Sequence, residues 1–196
     1  MRPNVKMWIV VLGLAVAAAG CGAPPKADID AAKAALDQAT SAGAGEYAAD
    51  SLKAVQDAQA ALDAELKAQE GKWFASYDKA KELAAAAKTA GEKAVADAAA
   101  GKEKAKADAT AAIEEAKTLL TEAQALLDKA PKGKGTAADI EAMKGDLTTA
   151  GTSITDAEAA LAADRFVDAR AKAESAKAAA TTVKTAIETA MAAKKG

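Results

Sequence analysis

The chain predicts an all-α fold, an elongated antiparallel helical bundle of about five helices in which two tandem three-helix units share one long central helix. Three observations carry that expectation. Alanine, the strongest helix former, supplies 62 of the 196 residues. Apolar positions recur at steps of three and four along most of the sequence, the spacing of one helix face. The interruptions fall at Gly- and Pro-bearing turns. The hydrophobic fraction of 51% is largely this alanine, and aromatic residues make up only 3%. Methyl groups bury little area, so at about 25 cal/mol per Å² the sequence favours thin bundles of closely approaching helices over a thick globule.

A signal helix precedes the bundle. Arg2 and Lys6 stand ahead of an apolar run with no acidic residue among them, and 13 apolar or small residues run from Met7 to Ala19. Spanning a hydrocarbon core takes roughly 20 residues, so the run is too short to cross a membrane. Small residues fill Ala17 to Gly20, Cys21 follows, and Pro24 and Pro25 stop the helix, in the order of an export signal. The segment resembles the bacterial lipoprotein signal, with Ala18, Ala19 and Gly20 as the cleavage motif; Ala18 stands where that family prefers Leu. The resemblance implies removal of residues 1–20, diacylation of the Cys21 sulfur and usually acylation of the new amino terminus, leaving residues 21–26 as a lipidated tether. By resemblance to enteric sorting rules, Gly22 in place of Asp permits transfer to the outer membrane, facing the periplasm; the alternative is a lipid anchor in the inner or plasma membrane. As the sole cysteine of an exported chain, Cys21 has no disulfide partner. Beyond this covalent lipid no cofactor is expected.

Without the leader, 24 basic residues face 28 acidic ones. That balance argues against nucleic acid or an anionic membrane surface as a partner, since either calls for clustered excess Lys and Arg.

In the mature chain, Asp28 is placed to cap a first helix that carries Ile29, Ala32, Leu36 and Ala39 on one face and reaches Ser41. Ala42-Gly43-Ala44-Gly45 breaks it. A second helix runs from about Glu46 to Gln69 with Leu52, Val55, Ala58, Leu62 and Leu66 on one face, and Gly71 ends it. The central helix is expected from Trp73 to Ala130, 58 residues or about 87 Å, continuous through Gly91 and Gly101 because each glycine costs only about 1 kcal/mol. Its last third carries a seam of Ile113, Ala116, Leu120, Ala123, Leu127 and Ala130. Pro131-Lys132-Gly133-Lys134-Gly135 is a loop. Thr136 and Asp139 then form a capping-box signature for a helix bearing Ile140, Met143, Leu147, Ile154 and Leu161. Asp164-Arg165 is a tight turn by analogy with Gly71-Lys72, and a last helix runs from Phe166 to about Ala193 before Lys194-Lys195-Gly196 frays.

These parts repeat. Ala48-Ala49-Asp50 leads to Phe74 and Ala137-Ala138-Asp139 leads to Phe166, each phenylalanine opening an alanine-rich helix. The units are residues 27–100 and 101–196. At Ser41 to Leu52 and again at Gly71 to Ala80, the chain resembles a family of alanine-rich bacterial envelope domains of unknown function, whose pattern is a Gly-Ala turn with a Tyr-Ala start, a helix, and a Gly-x-aromatic turn. The resemblance implies a lipoprotein helical hairpin in two tandem copies and transfers no catalytic residue.

Candidate chemistry is sparse. Trp73, Phe74 and Tyr77 cluster near a turn; the expectation is that they plug the end of a thin bundle, the alternative that they stack on a sugar of peptidoglycan. Asp28, Asp30 and Asp37, and the Glu114-Glu115 pair, read as solvated helix face rather than as metal or acid/base pairs. With no histidine and no free thiol beyond Cys21, nucleophilic constellations are not expected, and the chain reads as no enzyme. The function expected is a lipid-anchored envelope spacer or docking module, partnered by an envelope protein or a second copy, with peptidoglycan as a further candidate. The alternatives are an Ala/Lys-rich stress protectant, on the composition of Lys79 to Ala112, and a murein-linked lipoprotein, a family that ends in a C-terminal lysine where this chain has Gly196 after Lys195.

Overall fold

The computed structural model describes residues 23–130 and 137–193. Among them lie six α-helices and no strand: α1 Lys26–Ser41, α2 Ala44–Tyr47, α3 Ala49–Gln69, α4 Asp78–Asp128, α5 Ala137–Ala162 and α6 Phe166–Ala193. The leader, Cys21, the Lys132 and Lys134 loop, the Thr136 cap and the final three residues lie outside the described residues. The all-α expectation holds, with one helix more than foreseen because the Gly-Ala break folds into the short α2.

Several boundaries differ from the sequence reading: α3 opens at Ala49 rather than about Glu46, α4 closes at Asp128 rather than Ala130, and the starts of α1 and α4 also move. Helix α1 starts behind Pro25, which offers no side-chain cap; Asp28 lies inside the first turn, where its charge complements the helix dipole. Helix α4 begins at Asp78, not at Trp73. It runs 51 residues without a break, through both Gly91 and Gly101.

The chain divides into two compact units, Met1–Ala99 and Ala100–Gly196. In the first, α1 runs parallel to the start of α4, and α3 packs antiparallel against both. One end of its core joins Ala32, Leu62, Ala80, Ala84 and Ala87, with Ile29, Leu66 and Tyr77 packed against them. The other end joins Ala39, Ala44, Val55, Ala94 and Ala98. Along α4 the buried positions Ala80, Ala84, Ala87, Gly91, Ala94 and Ala98 alternate four and three apart, a heptad seam of methyl groups and one glycine. The glycine is required. A Cβ on Gly91 would stand 2.5 Å from the Ala35 Cβ and 2.9 Å from that residue's carbonyl carbon and oxygen, so α1 approaches α4 to backbone contact. Gln59 of α3 is the one buried polar residue among those described; its Nε2 donates to Asp63 at 3.4 Å while its Oε1 has no partner.

In the second unit, α5 runs antiparallel to α6 and to the later part of α4. Its core joins Ile113, Ala116, Ala150, Ile154, Ala157, Ala173 and Ala176 at one end and Ala123, Leu127, Leu147, Val183 and Ile187 at the other. Along α6 the buried residues Phe166, Ala169, Ala173, Ala176, Ala180, Val183 and Ile187 again alternate three and four. A charge ladder flanks this seam. Arg170 pairs with Asp108 at 3.5 Å, Lys177 with Glu115 at 2.8 Å and Lys184 with Glu122 at 2.7 Å, each rung one heptad beyond the last. Lys102 and Asp164, at 3.9 Å, extend the register with reversed polarity. A constant offset between two parallel helices is what a 3.5-residue repeat imposes.

Candidate functional site: the aromatic turn of the first unit

Helix α3 stops at Gln69. The Glu70 amide still reaches back to the carbonyls of Leu66 and Lys67 at 3.1 and 3.2 Å, and Glu70 then turns extended. Gly71 follows at φ 76 with nothing within 4 Å of where a Cβ would stand, so its role is to supply the left-handed backbone. The chain remains irregular through Tyr77, whose carbonyl accepts the Lys81 amide at 3.0 Å as α4 begins. Ser76 Oγ donates to Asp78 at 3.3 Å, and the Asp78 carboxylate sits at the dipole-favoured start of the helix.

This placement overturns the expectation that the three aromatics plug the bundle. Trp73 is 91% exposed and Phe74 is 89% exposed; only Tyr77 packs on the core, beside Ile29 and Leu66. The physical reason is the late start of α4. Had the helix begun at Trp73, its aromatic face would have lain over α3; six non-helical residues after Gly71 carry Trp73 and Phe74 out of reach of any core position. Beneath the turn, Gln69 Nε2 donates to Glu65 at 2.7 Å and Lys79 pairs with the same carboxylate at 3.4 Å. The Gln69 hydrogen bond first, and then Lys79, hold the Glu65 carboxyl below its ordinary range. The turn is thus fastened to α3 and α4 at its base while its two largest side chains face solvent.

A second cluster lies at the surface near the opposite end of this unit, where Ser51 and Asp97 are half-buried and Lys93 is exposed. Ser51 Oγ and Lys93 Nζ both donate to Asp97 Oδ2 at 2.5 Å, beside a shallow groove lined by Tyr47, Ala48, Ala49 and Asp50. The Lys93 bond first, then the Ser51 bond, hold the Asp97 carboxyl below its usual range. A carboxylate so stabilised is a poor base near neutral pH, and the arrangement ties the start of α3 to α4 rather than activating Ser51.

The other sequence candidates are dispersed. Asp28, Asp30 and Asp37 are exposed along α1. Glu114 pairs with Lys117, and Glu115 pairs with Lys177 as a rung of the ladder. Among the described residues no group of three or more metal-ligating side chains converges. Cys21 and the Ala18, Ala19 and Gly20 motif lie outside the described residues. Sequence reasoning missed the ladder, although two complementary heptads, Asp108/Glu115/Glu122 and Arg170/Lys177/Lys184, carry its signal. It also missed the Ser51-Asp97 tie, for which the sequence holds no signal because the partners lie 46 residues apart.

Comparison with protein-family models, with curated proteins and with solved structures finds no match to this chain.

Proposed function

We propose that this chain is a lipid-anchored cell-envelope protein without catalytic activity, a helical spacer or docking module facing the periplasm from the outer membrane. The observation that carries the reading is the export-type leader that closes on Cys21, with Ala18, Ala19 and Gly20 ahead of it. Each buried methylene of an attached chain contributes about 0.8 kcal/mol, so two or three chains hold the protein stably. Support for a spacer or docking body comes from the way side chains are used. Alanine seams serve the closest helix approaches, and the ladder carboxylates of α4 serve helix-to-helix pairs. Under this reading the partner is an envelope protein or a second copy, with peptidoglycan as a further candidate, and the two three-helix units are copies of one envelope domain.

Metabolic labelling with radioactive palmitate tests the anchor. The expected result is label on the mature chain, lost together with membrane association in Cys21→Ala. A Cys21→Ala variant still membrane-bound after export overturns the proposal. For the body, circular dichroism of the mature protein in dilute buffer is expected to show high helicity with a cooperative melt; weak helicity that rises only on drying supports the stress-protectant alternative instead.

A further inference from the structure

The exposed pair Trp73-Phe74 has neighbours that say what covers it. Three chain positions share one end of the first unit: the start of α1 at Lys26, the end of α3 at Gln69 and the start of α4 at Asp78. The core shows this directly, since Ile29 of α1, Leu66 of α3 and Tyr77 all pack on the same cluster with Ala80 and Ala84. The aromatic turn therefore lies at the end of the unit from which the chain leads back to Cys21. Lys26 lies five positions after Cys21, a reach of at most roughly 18 Å. Acyl chains on Cys21 would place this end of the unit against the lipid, and the opposite end away from it.

From this we infer that Trp73 and Phe74 form a second membrane contact, inserting side by side into the headgroup boundary next to the acylated amino terminus. The inference rests on the lipid-anchor reading above and deepens it. Tryptophan has the chemistry of that boundary, an apolar ring system with one polar N–H, and phenylalanine supplies apolar area. The short tether makes the second contact intramolecular once the first is formed, so two side chains suffice where they would not hold a free protein. Among the described residues, exposed aromatic rings are specific to this turn; the other large apolar side chain left exposed, Val167 at 50%, is aliphatic. In the second unit the phenylalanine after the corresponding turn, Phe166, is 2% exposed. The two residues are consecutive, at 91% and 89% exposure, and the only charges between α3 and α4, Glu70 and Lys72, cancel, so the turn carries no net charge.

Trp8 and Trp73 are the two tryptophans of the chain. A full-length Trp8→Phe variant, expressed and purified from membranes, therefore reports on Trp73 alone. It is reconstituted into phosphatidylethanolamine/phosphatidylglycerol vesicles with and without brominated acyl chains, and the acylation of Cys21 is read by mass spectrometry on the same sample. The expected result is emission shifted to shorter wavelength, loss of intensity with brominated lipid, and protection from iodide. Acylated Cys21 with Trp73 emission unshifted, unquenched by bromine and open to iodide overturns the inference and leaves the anchor standing. Quenching by bromine with Cys21 unmodified overturns the anchor and, with it, the tether on which the second contact is argued to depend; neither signal overturns both. A shift that appears with muropeptides, or with rising protein concentration in detergent, and is not enhanced by brominated lipid assigns the pair to a glycan or to a second copy and also overturns the inference. In a Trp73→Ser, Phe74→Ser double variant, where no core contact is lost, faster transfer of the acylated protein between vesicles is expected; an unchanged transfer rate counts against the insertion.

Discussion

Helices α3 and α5, the middle helices of the two units, are each followed by a residue in the left-handed region, Gly71 at φ 76 and Asp164 at φ 58. Past Asp164 only Arg165 intervenes before α6, and Phe166 is drawn under the bundle with the Lys102 ammonium 5.7 Å above its ring. Past Gly71 six residues intervene before α4, and Trp73 and Phe74 are left outside. The turns share a backbone device and differ in what they do with an aromatic residue. Burial is decided by how soon the next helix begins, and a phenylalanine just after a turn is core in one unit and surface in the other.

The sharpest test of that contrast is to truncate both phenylalanines. Phe166→Ala is expected to cost about 3–5 kcal/mol, the range for emptying a buried aromatic site. Phe74→Ala is expected to stay within about 0.5 kcal/mol, as for surface changes that touch no core. Urea unfolding midpoints measure both. A Phe74→Ala loss as large as that of Phe166→Ala would place Phe74 in a core and break the comparison.

Glycines separate the units in the same way. At Gly91 a methyl group meets the backbone of Ala35, and Gly91→Ala is expected to destabilise by about 1–3 kcal/mol, overcoming its gain in helix propensity. At Gly145 in α5 nothing stands within 4 Å, and Gly145→Ala is expected to stabilise by about 0.8–1.0 kcal/mol. One substitution with opposite signs in two helices isolates close approach from propensity. Thermal melts of both variants decide it; a gain at Gly91 would mean that α1 has room to retreat.

Much of this architecture was legible in the sequence. Periodicity identifies the seams, because an alanine helix that packs must bury one face: Val55 and Leu62, Ile113 and Leu127, Leu147 and Ile154 all lie on the faces their spacing indicates. The Asp164 turn was legible by analogy with Gly71. The start of α4 was not, since Trp73 to Tyr77 has no strong helix breaker and only the observed backbone shows where the first turn nucleates. Gly91 read as a tolerable flaw because propensity is local, whereas its requirement comes from Ala35, 56 residues away. For the candidate site, residue identity pointed to Trp73, Phe74 and Tyr77, but exposure, the property that matters for contact with a partner, depends on helix boundaries that composition does not fix.

The two turn residues offer a smaller pair of effects. Gly71→Ala forces a Cβ into the left-handed region and is expected to cost about 1–2 kcal/mol. Asp164→Gly relieves that conformation and is expected to gain up to about 1 kcal/mol, reduced by loss of the 3.9 Å contact with Lys102. If the paired turns are one device, the substitutions move the denaturation midpoint in opposite directions. If Asp164→Gly also destabilises, Asp164 contributes more through its carboxylate than its backbone costs.

The smallest effects belong to the ladder, whose members are partly exposed and screened by salt. The hydrogen bonds that Lys177 and Lys184 donate to Glu115 and Glu122, respectively, are the main cause of their raised pKa values. A group whose folded pKa is raised contributes fully below its unfolded value, about 10.4 for lysine, and that contribution is lost as pH climbs through the folded value. The lowered carboxyls of Glu65 and Asp97 in the first unit act in the opposite sense, contributing above about pH 4 and fading as pH falls below it. Amide exchange is therefore expected to accelerate first in the second unit on the alkaline side, whereas acid draws on these first-unit carboxyls and on Asp108 in the second, which Lys104 holds low. Glu115→Lys should lower the midpoint slightly, and adding Lys177→Glu should restore it, with the difference vanishing in 1 M salt. Failure of the exchanged pair to restore stability would mean that the methyl seam alone sets the register of α4 against α6, and that the heptad spacing of the charges follows from that register without contributing to it.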